Sequence, residues 1–208
     1  MIDHPLRGRF NAWLLDALDG YMHRQYGDVK ARLFRDLPPT VVEVGAGSGA
    51  NFRYFPPGTR VVAVEPNVRM HSRLERRAQR RGLTLDLHRE SGEGIALADG
   101  SVDFVCASLV LCSVRDPAGV AREVRRVLAP GGRFVCIEHV MAPRGSAVAA
   151  IQRGIRRPWQ WVFEGCNLCN RTEAALRTAG FRSVEIEPLH MRTVFMPLRY
   201  QIVATCVA

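Results

Sequence analysis

The chain is short of lysine, of long apolar runs and of paired cysteine motifs, and each shortage excludes something. Lys30 is the only lysine, so 28 of the 29 basic residues are arginine. A coding bias toward guanine and cytosine produces that skew without any binding role. The net charge of +9 therefore does not by itself make a nucleic-acid binder. The densest basic cluster is Arg73, Arg76, Arg77, Arg80 and Arg81, on a predicted helix with Met70, Leu74 and Ala78 on its other face. No aromatic residue interleaves with it. The pattern reads as a solvated helix face, and no nucleic-acid partner is expected. No apolar run approaches the roughly 18 residues of a membrane span. Met1 to Arg9 lacks the apolar core of a secretory signal. The expectation is a cytoplasmic protein with, at most, peripheral membrane contact. Six cysteines stand at 106, 112, 136, 166, 169 and 206. Cys106, Cys136 and Cys206 lie in apolar, β-branched runs and read as buried small hydrophobes. Cys166 and Cys169 form a lone CxxC without a second pair, so no metal is expected and free thiols are the default.

What remains is an ordinary globular chain of 208 residues, 47% hydrophobic and 24% charged. It is long enough to bury a core without staples. Residues 5 to 36 show helical spacing, with Leu6, Phe10, Trp13, Leu14, Ala17, Leu18, Tyr21 and Met22 at steps of three and four. Pro38 and Pro39 end that section. Residues 1–37 are thus expected to form an N-terminal helical cap, and residues 38–208 a single compact unit. Val41 to Val44 reads as a buried strand, and Val61 to Glu65 as a second. A helix follows, with Pro66 in its first turn and Gly82 at its end. Leu83 to Leu87 and Val102 to Leu111 read as strands. Asp116-Pro117 opens a helix with the stripe Val120, Val124, Val127 and Leu128. Arg133 to Val140 is strand again, Thr172 caps a helix closing at Gly180, and Val184 to Glu187 and Tyr200 to Val207 are final strands.

Strands alternating with helices predict an α/β fold, a parallel sheet with helices on both faces. Ligands of such sheets bind outside the carboxyl ends of the strands. Gly45-Ala46-Gly47-Ser48-Gly49 lies there, directly after the first strand. Its glycines permit a tight turn and close approach of backbone to ligand, and the helix after it offers unpaired amide donors. Glu65 follows Gly45 by 20 residues, the spacing at which an acid meets a ribose in dinucleotide folds. Its two oxygens can accept from both ribose hydroxyls. The loop is GxGxG rather than GxGxxG, which favours a nucleoside over a pyrophosphate.

Four segments occur in a familiar order. Val42-Glu43-Val44-Gly45-Ala46-Gly47-Ser48-Gly49 resembles the first motif of class I S-adenosylmethionine-dependent methyltransferases, and Val64-Glu65-Pro66-Asn67 resembles their ribose motif. Asp99 to Val105 resembles the approach to their fourth strand, and Leu128-Ala129-Pro130-Gly131-Gly132 the turn before their fifth. A closer resemblance, to microsomal alkyl thiol S-methyltransferases, is carried by Gly49 to Phe52, Tyr54 to Gly58, Leu109 to Val114, Glu138-His139-Val140 and Glu164 to Leu168. Those enzymes carry an apolar N-terminal anchor. Here an amphipathic helix stands first, so a soluble bacterial relative is expected.

The resemblance implies a Rossmann-like seven-stranded sheet with its last strand antiparallel, an S-adenosylmethionine cofactor, and a site residue by residue. Glu43 would order the loop and approach the methionine amine. Gly45, Gly47 and Gly49 would pass beneath the methionine end. Glu65 would hold the ribose, with Pro66 and Asn67 flanking the adenine. Gly92 and Glu93 would lie at the adenine edge, where Ser91 stands in place of the family's usual Asp. Ser108 and Leu109 would line the methyl-transfer channel. Glu138 and His139 end the fifth strand at the same edge, as acceptor-site groups or as a satisfied structural pair. Trp159, Trp161 and Phe163 are a substrate wall or cap packing. No covalent catalytic residue is expected. The expected reaction is direct methyl transfer to a small lipophilic acceptor, a thiol first. A phospholipid headgroup, quinone or secondary metabolite is the alternative, and a non-catalytic binding module retaining the fold is a second. The N-terminal helix is expected to act as a lid over the cofactor edge.

Overall fold

The computed structural model describes residues 14, 17–163, 165–191, 193 and 196–208. Leu6, Phe10, Trp13, Glu164 and Phe195, and with them the first part of the predicted N-terminal helix, lie outside that set. In chain order the elements are α1 (Asp19–Leu33), β1 (Thr40–Val44), a 3₁₀ turn (Ala50–Tyr54), β2 (Arg60–Val64), α2 (Val68–Arg81), β3 (Thr84–His88), β4 (Val102–Ser108), α3 (Pro117–Val127), β5 (Leu128–His139), α4 (Ala147–Val162), α5 (Thr172–Arg177), β6 (Ser183–His190) and β7 (Tyr200–Val207). A second 3₁₀ turn, Met196–Leu198, precedes β7.

The seven strands form one sheet in the order β3-β2-β1-β4-β5-β7-β6. All neighbours run parallel except β7, which is antiparallel to both β5 and β6. The expected seven-stranded sheet with an antiparallel last strand is therefore present. The continuous apolar runs follow from cover on both faces. Alternate residues of β1 and β2 point to opposite sides. Val42, Val44, Val62 and Val64 pack with Val120, Val124 and Val127 of α3. Val41, Val61 and Ala63 pack on the other side with Phe34, Phe52 and Leu74. Glu43 shares that second face and is only 2% exposed.

The order reverses at β1, whose neighbours β2 and β4 lead away in opposite directions. The carboxyl end of β1 is thus the crevice where this architecture binds ligands, and the glycine loop opens there. On α2, Met70, His71, Leu74 and Ala78 are buried, whereas Arg76, Arg80 and Arg81 are exposed. Arg77 turns back to pair with Asp19 of α1 at 3.6 Å. The basic cluster is mainly a solvated face, as its spacing indicated.

Some boundaries differ from the sequence reading. Asn67, not Pro66, opens α2, its side chain accepting from the Arg69 N–H at 3.1 Å. Gly82 closes that helix at φ +65°, as expected. Thr172 is the first residue of α5 rather than its cap, and its buried hydroxyl has no hydrogen-bond partner. β4 stops at Ser108 because Leu109 turns to φ +61°, the only non-glycine with positive φ among the described residues. Among those residues no helix is long and apolar enough to cross a membrane.

Candidate active site

The glycine loop is crowded at two of its three glycines, Gly45 and Gly49, and open at the third. Gly45 has φ +66°, and a Cβ built there would sit 2.5 Å from Cγ2 of Val110. Gly47, at φ +56°, faces open space, with nothing within 4 Å of an added Cβ. One wall of the loop is closed by Val110 and the other is open, as a cradle must be. Gly45→Ala combines a disfavoured φ with a clash in a packed site, and is expected to destabilise the fold by about 1–3 kcal/mol. Thermal denaturation of the variant, with an expected loss of about 2–4 °C per kcal/mol at this chain length, is the check.

Glu65, immediately after β2, is buried, and its carboxylate holds the loop. One oxygen accepts from the Gly47 N–H at 2.8 Å and the other from the Asn67 N–H at 2.8 Å. Each carboxylate oxygen has two acceptor positions, so this bracing is compatible with further hydroxyl donors.

Glu43 lies beneath the loop. One of its oxygens accepts from Asn51 Nδ2 at 2.7 Å, and Asn51 also donates to Ser108 Oγ at 3.1 Å. The second oxygen, Oε2, is buried without any hydrogen-bond partner, and so is Asn51 Oδ1. Burial pushes the Glu43 carboxyl up to about 8, against the pull of the Asn51 hydrogen bond and of Lys30. Lys30 itself is held below its ordinary value by burial, with Glu43 opposing. Two orphaned acceptors beside an open glycine cradle are what a cationic, donor-bearing ligand would satisfy. The residues present therefore fit the amine end of S-adenosylmethionine.

Lys30 and Asn51 were missed in the sequence. Lys30 comes from α1, one turn after Tyr26, whose buried hydroxyl donates to Gln201 Oε1 at 2.9 Å. Both side chains face the sheet, so α1 roofs the carboxyl end of β1 and the adjoining strands. A hydrogen bond of 2.7 Å between His23 and Tyr54, and an ion pair from Asp19 to Arg53, seat α1 on the turn after the glycine loop. A lone lysine inside an apolar helical stripe was the available signal.

Gly92 is buried, and an added Cβ would lie 2.7 Å from Val44, so the loop here rests on the end of β1. Ser91 donates to Glu93 at 3.1 Å, and Glu93 accepts from the Asp116 N–H at 3.2 Å. Glu93 thus ties its loop to the start of α3.

Glu138 at the end of β5 is fully buried. It accepts from the N–H groups of Val110 and Leu111 at 2.9 Å and of Cys112 at 3.2 Å. Burial still pushes it up to about 7. The geometry makes Glu138 a positioning residue that shapes the turn after β4. His139 instead faces two thiols, with Nδ1 at 3.8 Å from both Cys112 Sγ and Cys166 Sγ. Its hydrogen bond with Cys112, and then that with His139, hold the Cys166 thiol well below its ordinary value. Sharing with Cys166, then burial, pushes Cys112 up. Cys166 is therefore associated with Cys112 and His139, not with Cys169 of its CxxC. The buried state of Cys106, Cys136 and Cys206 is as expected.

Trp159 and Phe163 pack on each other with ring centroids 4.3 Å apart, while Trp161 is 62% exposed. A cavity of about 650 Å³ lined by Arg35, Pro38, Phe104 and Gly131 opens at the amino ends of the strands, opposite the glycine loop.

Residues 42–136 match the family model described as "Methyltransferase domain". The chain is 38% identical over 192 residues to thiol S-methyltransferase TMT1A of Homo sapiens, covering 87% of this chain and 77% of that protein. It is 34% identical over 194 residues to thiol S-methyltransferase TMT1B of Rattus norvegicus, covering 88% and 80%. Among solved structures, geranyl diphosphate methyltransferase in complex with S-adenosylmethionine superposes with a TM-score of 0.64 at 19% identity, over 89% of this chain and 86% of that one, a likeness of fold alone. The glycine cradle, the buried acids at the ends of β1 and β2, and extended relatedness at this level identify the chain as a member of the family of TMT1A and TMT1B, an S-adenosylmethionine-dependent methyltransferase.

Proposed function

We propose that the protein transfers a methyl group from S-adenosylmethionine to the sulfur of a small lipophilic thiol. The observation that carries this reading is the relatedness to thiol S-methyltransferases over nearly the whole chain, acceptor-side segments included. When bound, S-adenosylmethionine supplies an electrophilic methyl group on a sulfonium. The chain's own residues bind, orient and exclude water. Glu43 accepts from the methionine amine, with Asn51 holding its other oxygen. Glu65 accepts from the ribose hydroxyls while bracing Gly47. Pro66, Asn67, Gly92 and Glu93 flank the adenine, and Gly45, Gly47 and Gly49 form the floor. Ser108 and Leu109 line the path to the acceptor. Residues 1–37 act as a cap over residues 38–208, and the contacts of Tyr26 and Lys30 support that role for α1.

Rate comes from alignment in a closed site, which can contribute roughly 7–11 kcal/mol. A thiol needs little base assistance, because its reference pKa is about 8.5 and its thiolate is the nucleophile.

The raised pKa of Glu43 gives a pH dependence of definite sign. Below its unfolded value of 4.5 Glu43 is protonated in both states. Between there and about 8 the folded protein retains a proton that the unfolded chain has lost. Its contribution to stability is therefore full in acid and is lost as pH rises through that window. The cofactor's ammonium favours the ionised form, so binding should release about one proton near pH 6.5 and tighten as pH rises toward 8. Calorimetry in two buffers of different ionisation enthalpy measures that proton, and Glu43→Gln should abolish it.

The acceptor is tested by comparing a hydrophobic alkyl thiol with phosphatidylethanolamine vesicles at low and high salt. The thiol should be methylated at a rate insensitive to salt. A headgroup substrate would instead show dependence on the vesicle surface and loss of rate at high salt. Methylation of the lipid and of no thiol would overturn the reading.

A further inference from the structure

Three segments remote in sequence each deliver one metal-ligand atom to a single buried point. Cys112 lies in the turn after β4, His139 is the last residue of β5, and Cys166 is in the loop after α4. Their exposures are 1%, 7% and 7%. The two sulfurs are 3.7 Å apart, and each lies 3.8 Å from His139 Nδ1. The atoms thus form a nearly equilateral triangle. A tetrahedral zinc ion bonds sulfur at about 2.3 Å and imidazole nitrogen at about 2.0–2.1 Å. That geometry spaces two sulfurs about 3.8 Å apart, and a sulfur and a nitrogen about 3.5 Å apart. The observed triangle matches one face of such a tetrahedron to within a few tenths of an ångström. A disulfide would need its sulfurs at about 2.05 Å, and both cysteines are free.

The surrounding backbone holds the triangle together. The Cys112 N–H donates to Glu138, and the Cys112 carbonyl accepts from the Asn167 N–H at 2.7 Å. Asn170 Nδ2 donates to the Leu111 carbonyl at 2.9 Å. Gly165 has φ +99°, and a Cβ there would stand 3.0 Å from the Ser113 carbonyl oxygen. Glycine at 165 is what lets the Cys166 loop close on the Cys112 turn. The Ser113 hydroxyl lies 3.6 Å from Cys112 Sγ. The indole N–H of Trp159 is buried without a regular hydrogen bond. Such outer groups are what tune a thiolate ligand.

We propose that Cys112, His139 and Cys166 bind a zinc(II)-class ion whose open fourth position takes the sulfur of the methyl acceptor. The acceptor half of this rests on the thiol reading above; the ion does not. Structural zinc sites close with four protein ligands, whereas catalytic ones keep three and an open position. Among the described residues the cluster has three ligand groups and no fourth. It also stands at the sheet edge where Ser108 and Leu109 line the transfer path, Cys112 Sγ lying 3.5 Å from the Leu109 carbonyl. Coordination of the acceptor thiol releases its proton to solvent and keeps the thiolate at neutral pH. A lone pair of that sulfur forms the new S–CH₃ bond as the sulfonium S–CH₃ bond breaks. The electron pair of the broken bond stays on the sulfur of S-adenosylhomocysteine. The neutral thioether is the weaker ligand and leaves, with the ion unchanged in oxidation state.

The test uses the full chain, purified under reducing conditions without chelator and dialysed after zinc loading. About one zinc per chain is expected by elemental analysis, falling to background in Cys166→Ser and in His139→Gln. A retained thermal shift with S-adenosylhomocysteine shows that a variant is folded. Cobalt(II) in the wild-type chain should give sulfur-to-metal charge transfer in the near ultraviolet and strong tetrahedral visible bands. Adding a hydrophobic alkyl thiol should shift those bands. Wild-type zinc below about 0.1 per chain, or a Cys112–Cys166 disulfide in place of the ion, overturns the site. Full-rate thiol methylation by the metal-free chain overturns the acceptor position and leaves the thiol reading standing. Bound cobalt whose spectrum no thiol moves overturns the acceptor position, whatever substrate is methylated.

Discussion

Glu65→Ala is expected to weaken S-adenosylmethionine binding about 30- to 1000-fold, or about 2–4 kcal/mol. In the proposed site two charge-assisted acceptor positions for the ribose vanish together, each contributing roughly 1.5–3 kcal/mol before losses elsewhere are counted. The variant also loses the braces to Gly47 and Asn67. The two effects separate in a thermal melt. Loss of the braces lowers the melting temperature of the free protein, whereas loss of the ribose contacts shrinks the increment on adding cofactor. At 100 times the wild-type Kd that increment corresponds to about 2.7 kcal/mol, and a 100-fold weaker variant should show about 0.4. A variant whose affinity stays within about threefold would remove Glu65 from the site.

Glu138→Ala should produce the largest loss of stability. Three N–H groups of the Val110–Cys112 turn would be left without their acceptor. At about 1–3 kcal/mol for each buried group left unsatisfied, the total is about 3 kcal/mol or more. For a chain of this length the melting temperature should drop by roughly 6–12 °C. The same turn carries Leu109 at φ +61°, a conformation that persists only while its surroundings enforce it. Turnover should therefore fall even where the fold survives. Glu138→Gln keeps an oxygen for Val110 and Leu111 but sets an amide against the Cys112 N–H, and should fall between. Denaturant titration gives the numbers. A cost for Glu138→Ala below about 1 kcal/mol would mean that the turn holds without its anchor.

Much of the fold was legible because covered parallel strands leave a plain signature. Val41 to Val44 and Val61 to Val64 are apolar at every position but Glu43, as a sheet covered on both faces requires. The acid within the first run stood out for the same reason, since a carboxylate buried among valines is costly without a partner. What could not be read was set by tertiary contact. Lys30 comes close enough to act on the charge of Glu43 only because α1 folds back over β1. Thr172 looked like a cap by residue type, but the helix begins at it rather than after it. Cys166 looked like half of a CxxC because spacing rules weigh near neighbours. Its partners are 54 and 27 residues away, and the parallel sheet gathers them by delivering the carboxyl ends of β4 and β5 to one edge. The segments that carried the closer resemblance, around Cys112, His139 and Cys166, are the ones that meet there.

The most direct measurement is the mass of the product formed from S-adenosylmethionine bearing a trideuterated methyl group and a hydrophobic alkyl thiol. The account predicts the deuterated methyl thioether and S-adenosylhomocysteine in equal amounts, with formation of both lost in Glu65→Ala at cofactor concentrations that saturate the wild type. Deuterium recovered on the nitrogen or oxygen of other acceptors, with the thiol unchanged, would contradict it.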